Sequence, residues 1–201
     1  MDMIINTIFP TTIGISDCPF INEIQEPYKK IIKDFKYEST GFCKERVHLN
    51  KKFKKLNEWI NEQVQKYAKI HLYKGRYNCT ESWLLDYPIG SGQSFHRHPG
   101  FVFSVVFFLE GYEDDTNLNF ENPVVDMLNP LKVTAHDFDR VNDKGFTNDA
   151  IDKIEYNELT YSQVSYAPKT GRLLVWRSHL AHGCFNKQLE CKRIVFVYNY
   201  K

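Results

Sequence analysis

The order of predicted elements points to a mainly β protein with flanking helices: a double-stranded β-helix of the jelly-roll, cupin-like kind. Three observations predict it. Residues 28 to 71 carry apolar side chains at helical spacing, and from Gly75 onward the chain divides into many short β-prone runs separated by turn residues. Helices first and strands afterwards suit a barrel with helices packed on its outside. The longest β-prone run, 101 to 109, has no charged residue and follows two histidines one residue apart, which reads as a strand buried on both faces with a pair of ligand-type side chains at its mouth.

Residues 3 to 9 are rich in Ile and Phe and stop at Pro10, which suits a short strand. Pro27 fits a first helical turn, and Tyr28, Ile31, Ile32 and Phe35 continue at helical spacing to about Tyr37. Residues 38 to 50 read as connection, with Asn50 a candidate cap for a second helix. That helix carries Leu56, Trp59, Ile60, Val64, Tyr67 and Ala68 on one stripe and ends near His71, which extends the stripe and reads as a core histidine. Strands are expected at 80 to 88, 116 to 122, 130 to 135, 160 to 167, 171 to 177 and 191 to 200. The interval Asp137 to Glu158 holds seven acidic and three basic residues and reads as a long surface loop, a candidate lid with a short helix near 148 to 154.

With 201 residues the chain can build one good core, so a single domain over 1–201 is expected. Residues 1–74 would supply a strand and supporting helices, and 75–201 a jelly-roll core with a loop insertion at about 124–160. Lys+Arg 26 against Asp+Glu 25 leaves a formal charge of +1, which makes no electrostatic case for nucleic acid or a membrane surface. Seven of the basic residues are Arg, and Arg172, Arg177 and Arg193 cluster near the C-terminal histidines, where a planar guanidinium suits a carboxylate. Five cysteines without CxxC spacing argue against a disulfide framework and for a reducing compartment. The opening MDMIINTIFP does not read as a signal peptide and no run approaches ~20 apolar residues, so a cytoplasmic protein is expected, in a bacterium or an infected cell.

On an extended strand, side chains two residues apart leave the same face, so His96 and His98 can converge on one point while Arg97 turns away. His182 lies far downstream in WRSHLAHG, and Arg193 follows it by eleven residues. HRHPG at 96 to 100, the Ser104 strand, LNFENP at 118 to 123, GRLLVWRSHLAH at 171 to 182 and RIVFVYN at 193 to 199 together resemble the iron(II)- and 2-oxoglutarate-dependent oxygenases. More narrowly they resemble a subgroup carrying HxHP, common in marine bacteria and their phages, and IFPTTIG at 8 to 14 is similar to that group's first strand.

The resemblance implies an oxidoreductase, a dioxygenase in which 2-oxoglutarate and O₂ meet at iron(II) and a substrate is hydroxylated, with succinate and CO₂ as coproducts. Its usual ligands are HxD or HxE and a distant His, with open positions for the cosubstrate and O₂. Here His98 stands where the carboxylate would, so the implied metal set is His96, His98 and His182. Asp86 is the spare carboxylate if His98 does not ligate, and His179 the alternative distal histidine. His136 and His48 are expected on the surface. Arg193 takes the place of the late cation that holds the far carboxylate of 2-oxoglutarate. Strand position makes Tyr87, Ser104 and Asn119 candidates for hydrogen bonds to the cosubstrate, and parity puts Asn199 on the face of Arg193 with Val195 and Val197. Phe108, Phe120 and Trp176 are expected in the core. The expected partners are O₂ and a small-molecule or protein side-chain substrate, with a homodimer as the candidate assembly. Two other readings stay open: a cupin-like three-histidine metalloenzyme that does not use 2-oxoglutarate, and a jelly-roll binding or virion structural protein without catalysis.

Overall fold

In the computed structural model, residues 10–123, 134–135, 163–187 and 189–201 are described. Among these residues, eleven strands form two sheets. They are β1 (Ile13–Asp17), β2 (Phe42–Cys43), β3 (Cys79–Asp86), β4 (Gln93–His96), β5 (Phe103–Glu110), β6 (Leu118–Glu121), β7 (Thr134–Ala135), β8 (Gln163–Tyr166), β9 (Arg172–Arg177), β10 (His182–Cys184) and β11 (Ile194–Tyr200). The larger sheet runs β1-β9-β5-β11-β3-β2 and the smaller β4-β10-β6-β8-β7. From β3 to β6 and again from β8 to β11 the chain crosses between the sheets at every strand, and all pairs except β7–β8 are antiparallel. This is the winding of a double-stranded β-helix.

Period-two alternation explains why β5 and β11 lack an exposed face. Phe103, Val105, Phe107 and Leu109 of β5, with Phe196, Tyr198 and Tyr200 of β11, pack in the cluster that includes both helices. The intervening Val106, Phe108, Val195 and Val197 join Leu174, Trp176 and Phe120 in a second cluster between the sheets. The large sheet is thus the middle layer, with helices on one side and the small sheet on the other. Phe108, Phe120 and Trp176 are buried as expected.

The helices cover the large sheet through single stripes. In α2 (Lys54–Ile70) the buried residues are Leu56, Ile60, Val64, Tyr67 and Ala68, and the 3-10 turn Lys51–Phe53 before it is capped by Asn50, whose side chain accepts from the Lys52 amide at 3.0 Å. The first helix, α1 (Ile21–Ile32), differs from expectation: it starts six residues before Pro27 and ends at Ile32. Its buried stripe is Ile24, Tyr28 and Ile32, one residue per turn, so burial on both sides of Pro27 outweighs the single helical hydrogen bond the imino nitrogen cannot make. Phe53 locks the layers together, its ring edge-on to Tyr28 at 4.9 Å and to Phe196 at 5.3 Å.

Strands β2 and β10 were not expected, because FC and HGC are too short to carry an alternating pattern. The first strand lies after Pro10, at Ile13–Asp17, paired with β9; the expected strand at 3 to 9 falls outside the described residues. So do the acidic stretch 137 to 158 with its expected helix and His136, while β7 is the described part of the 124–160 insertion. His71 has the structural role expected, with Nε2 3.1 Å from the Thr12 hydroxyl and Nδ1 3.0 Å from the Tyr67 carbonyl. His48 is half-buried rather than exposed: Nδ1 lies 2.7 Å from the Ser82 hydroxyl, and burial, then the charge of Arg46, lowers its pKa. All five cysteines are free thiols. Among the described residues no helix is long and apolar enough to cross a membrane.

Truncating Phe53 removes a contact that ties both helical segments to the large sheet. Phe53→Ala is expected to cost about 3–5 kcal/mol of stability, the range for deleting a buried aromatic side chain, measured by urea unfolding.

Candidate metal centre

Antiparallel register brings the histidines together. His182, the first residue of β10, is the direct partner of His96, the last residue of β4, and its other neighbour is Phe120 of β6. His98 lies two residues beyond His96, past the strand end, where its amide donates to the Ser178 carbonyl at 3.0 Å. Ring centroids are 4.3 Å apart for His96 and His182, and 5.0 Å for each of the pairs with His98. One nitrogen from each ring lies within 4.8 Å of the others, a grouping that could hold a metal ion. Ligands at about 2.1 Å from one ion stand roughly 3.0–3.4 Å apart. The His98 and His182 Nε2 atoms are 3.2 Å apart, inside that span.

The surroundings aim the rings and keep His98 and His182 neutral. His96 Nδ1 donates to the Ser94 carbonyl at 2.8 Å and His182 Nδ1 to the Leu180 carbonyl at 3.0 Å, which leaves each Nε2 lone pair toward the centre. Burial, reinforced by the neighbouring His96, pushes the His98 pKa down to about 4. Burial pushes His182 to about 3, against the pull of the Leu180 carbonyl and together with the other two histidines. Neutral imidazole is the ligating form. Trp83 stacks on His98, and Trp176 lies edge-on to His182 at 4.6 Å.

A cavity of about 60 Å³ opens between the sheets, lined by the three histidines, Tyr87 and Arg193, with walls that include Trp83, Leu85, Val106, Phe108, Val195 and Val197. Arg193 and Asn199 share one face of the β11 chain with Val195 and Val197 between them, and His98 sits beside Asn199, so the imidazoles and the guanidinium mark separated parts of the site. Arg193 is 3% exposed; its Nη1 donates to the Thr116 carbonyl at 2.7 Å and lies 3.6 Å from Asp115 Oδ2. Its Nε is buried with no acceptor, an open donor for an anionic group. The guanidinium also stands 4.5 Å from the centre of the Tyr87 ring. Burial drives the Tyr87 phenol far above its usual range, Cys184 adding to this and Arg193 opposing it.

Not every expected residue reaches the cavity. Ser104 and Asn199 stand behind His98: Ser104 Oγ donates to Asn199 Oδ1 at 2.8 Å, Asn199 Nδ2 lies 3.0 Å from His98 Nδ1, and neither lines the cavity. Both side chains are spent on each other and on the histidine. Asn119 is one residue out of phase with Leu118 and Phe120, which face inward, and its amide donates to the Asn117 carbonyl at 3.0 Å. Asp86 shares the outer face of β3 with Leu84, whereas Trp83, Leu85 and Tyr87 face the barrel interior; its carboxylate lies 3.8 Å from Lys192 and outside the histidine group. Burial raises its pKa, with Lys192 opposing. His179 is exposed and holds Arg97 only through its carbonyl, at 3.0 Å. Asp115, Thr116, Ser178 and Cys184 were not expected at the site. Thr116 and Ser178 act partly through main-chain atoms, which no residue type announces, and Asp115 lies within an acidic turn that reads as surface.

Residues 81–199 match the family model described as "Putative 2OG-Fe(II) oxygenase". The match spans more than half of the chain, which therefore belongs to that family of oxidoreductases and uses iron(II), 2-oxoglutarate and O₂. No curated protein matches. Solved structures share the fold: a 2OG-Fe(II) family oxidoreductase from Burkholderia pseudomallei (12% identity, 94% of this chain and 84% of that one, TM-score 0.61) and a prolyl-4-hydroxylase from Pseudomonas putida (10%, 95% and 92%, 0.55). HygX from Streptomyces hygroscopicus, solved with nickel and 2-oxoglutarate bound, matches at 12% identity over 94% of this chain and 82% of that one, with TM-score 0.58.

Gly183, between His182 and Cys184, has no room for a side chain: an added Cβ would lie 2.7 Å from the Gln93 carbonyl oxygen and 3.1 Å from Phe95 Cα. Gly183→Ala must push β4 away from β10 and so part His96 from His182. Because ligand sets tolerate only about 0.5 Å of displacement, metal affinity is expected to fall roughly tenfold or more, by calorimetric titration, with the circular dichroism of the fold unchanged.

Proposed function

We propose that His96, His98 and His182 hold the iron(II), that Arg193 holds the far carboxylate of 2-oxoglutarate, and that the enzyme hydroxylates a small molecule or one protein side chain. The observation that carries this reading is a cavity bounded by three convergent imidazoles and by a buried guanidinium with an unmatched Nε donor. The metal and cosubstrate, when bound, supply the oxygen-activating chemistry and release succinate and CO₂.

The chain supplies placement. Carbonyls of Ser94 and Leu180 hold two ligand rings in the competent tautomer, and Trp83 and Trp176 limit their rotation. Three neutral donors leave iron(II) one charge more positive than two histidines and a carboxylate would, which favours a dianionic cosubstrate. Val106, Phe108, Val195 and Val197 keep water from the space between metal and Arg193. Tyr87, neutral and against the guanidinium, positions that cation and offers its hydroxyl to the same ligand. The five free thiols support a cytoplasmic setting.

One feature weighs against Arg193 as the carboxylate's partner: Asp115, its side chain fully buried, already stands 3.6 Å from it and offsets its charge. One experiment decides the assignment. Iron(II)-loaded wild type is expected to turn 2-oxoglutarate into succinate, and Arg193→Ala to keep the metal while losing about 2–5 kcal/mol of 2-oxoglutarate affinity, the cost of removing one partner of a desolvated charge pair. Calorimetric affinity of the variant within about twofold of wild type would mean that another residue holds that carboxylate.

A further inference from the structure

His98 differs from the other two histidines in what meets its Nδ1. A histidine that ligates through Nε2 carries its proton on Nδ1 and gives it to a nearby acceptor. The Ser94 and Leu180 carbonyls accept from His96 and His182. His98 Nδ1 instead lies 3.0 Å from Nδ2 of Asn199, and an amide nitrogen can only donate. Asn199 therefore donates, His98 Nδ1 accepts, and the single proton of neutral His98 sits on Nε2. The rest of the site agrees. His98 Nε2 is 3.2 Å from His182 Nε2, and since the His182 proton is committed to the Leu180 carbonyl, only a proton on His98 Nε2 makes that contact a hydrogen bond. Behind Asn199, the Ser104 hydroxyl donates to Oδ1 at 2.8 Å and lies 2.8 Å from the Ser178 hydroxyl. All of Ser104, Ser178 and Asn199 are buried to within 1%.

We infer that Asn199 is a positioning residue: the orientation of its amide sets the tautomer of His98 and so decides whether that ring presents a proton or a lone pair to the metal site. Turning the amide over puts Oδ1 against His98 Nδ1 and Nδ2 against the Ser104 oxygen. The Ser104 hydroxyl then accepts from Nδ2 and donates to Ser178, so the Ser178–Ser104–Asn199–His98 chain keeps every hydrogen bond, because each hydroxyl can serve in either direction, and only the contact between His98 Nε2 and His182 Nε2 loses its proton. His98 gives up its Nε2 proton and takes one at Nδ1, through water, with ring charge and proton count unchanged. The freed Nε2 lone pair joins those of His96 and His182. The serine pair is what keeps both orientations available; a fixed donor or acceptor in its place would lock the amide.

This rests on the reading that His98 ligates, and the test separates the two. The full chain is labelled with ¹⁵N-histidine and ring nitrogen shifts are recorded by NMR without metal and then with zinc(II) as a diamagnetic probe. His98 is expected as the Nε2–H tautomer without metal and as Nδ1–H with zinc, while His96 and His182 remain Nδ1–H throughout. In Asn199→Asp, where the side chain can only accept, metal-free His98 is expected to be Nδ1–H already. Asn199→Leu should weaken zinc binding about 10- to 100-fold, the usual effect of losing a residue that orients a ligand. All three rings responding to zinc with no change in the His98 tautomer would overturn this inference and leave the ligand set standing. His96 and His182 responding while His98 does not would overturn the ligand set itself. The wild-type comparison stands even if neither variant folds.

Discussion

Everything at the site depends on one cross-strand pair. His96 and His182 are far apart in sequence, and the antiparallel register of β4 against β10 makes them direct neighbours. β10 is only three residues long and is inserted between β4 and β6, so its position is fixed from both sides. Gly183 lets β10 approach β4 closely enough for the two rings to stand side by side. His182 is buried and His96 and His98 are half-buried, so the three rings converge at the edge of the cavity and not deep in the core.

The large sheet supplies the rigidity that this pair needs. Because β5 and β11 are buried on both faces, the helices α1 and α2 brace the sheet from outside while its inner face builds the cavity wall. The same strand that fixes Val195 and Val197 as wall carries Arg193 at one end and Asn199 at the other. Movement of β11 along its axis would therefore shift the guanidinium and the His98 support together. The buried Arg193–Asp115 pair stands at 3.6 Å, and both the guanidinium Nε and the Asp115 carboxylate oxygens are buried without a hydrogen-bond partner, so the cation is placed but not fully satisfied.

Much of this was legible in the sequence, and the failures are physical. The fold class follows from two amphipathic helices ahead of uncharged, β-branched strands, because burial on two faces writes itself as apolar runs. His96 and His98 follow from period-two geometry. β10 could not be read, since His-Gly-Cys has no alternation and becomes a strand only through its neighbours. The start of α1 was hidden by Pro27, whose local cost is outweighed by Ile24 and Tyr28 below it. Tyr87 was placed at the cavity by strand position and Arg193 by the family resemblance, while strand position misplaced Asn119 by one residue of phase, and the alternative carboxylate Asp86 lies on the outer face of β3. Ser104 and Asn199 have parity consistent with the interior, but hydrogen bonding to each other and to His98 withdraws them from it, and that depends on contacts 95 and 101 residues apart in the chain.

The central claim is a metal held by three imidazoles with no protein carboxylate. The most direct measurement is X-ray absorption fine structure at the iron edge of the anaerobic iron(II)-loaded protein, where the rigid imidazole ring gives an outer-shell scattering pattern that can be counted. The account predicts three imidazoles in the wild type and two in His98→Ala. Two imidazoles in the wild type, unchanged in His98→Ala, would contradict it.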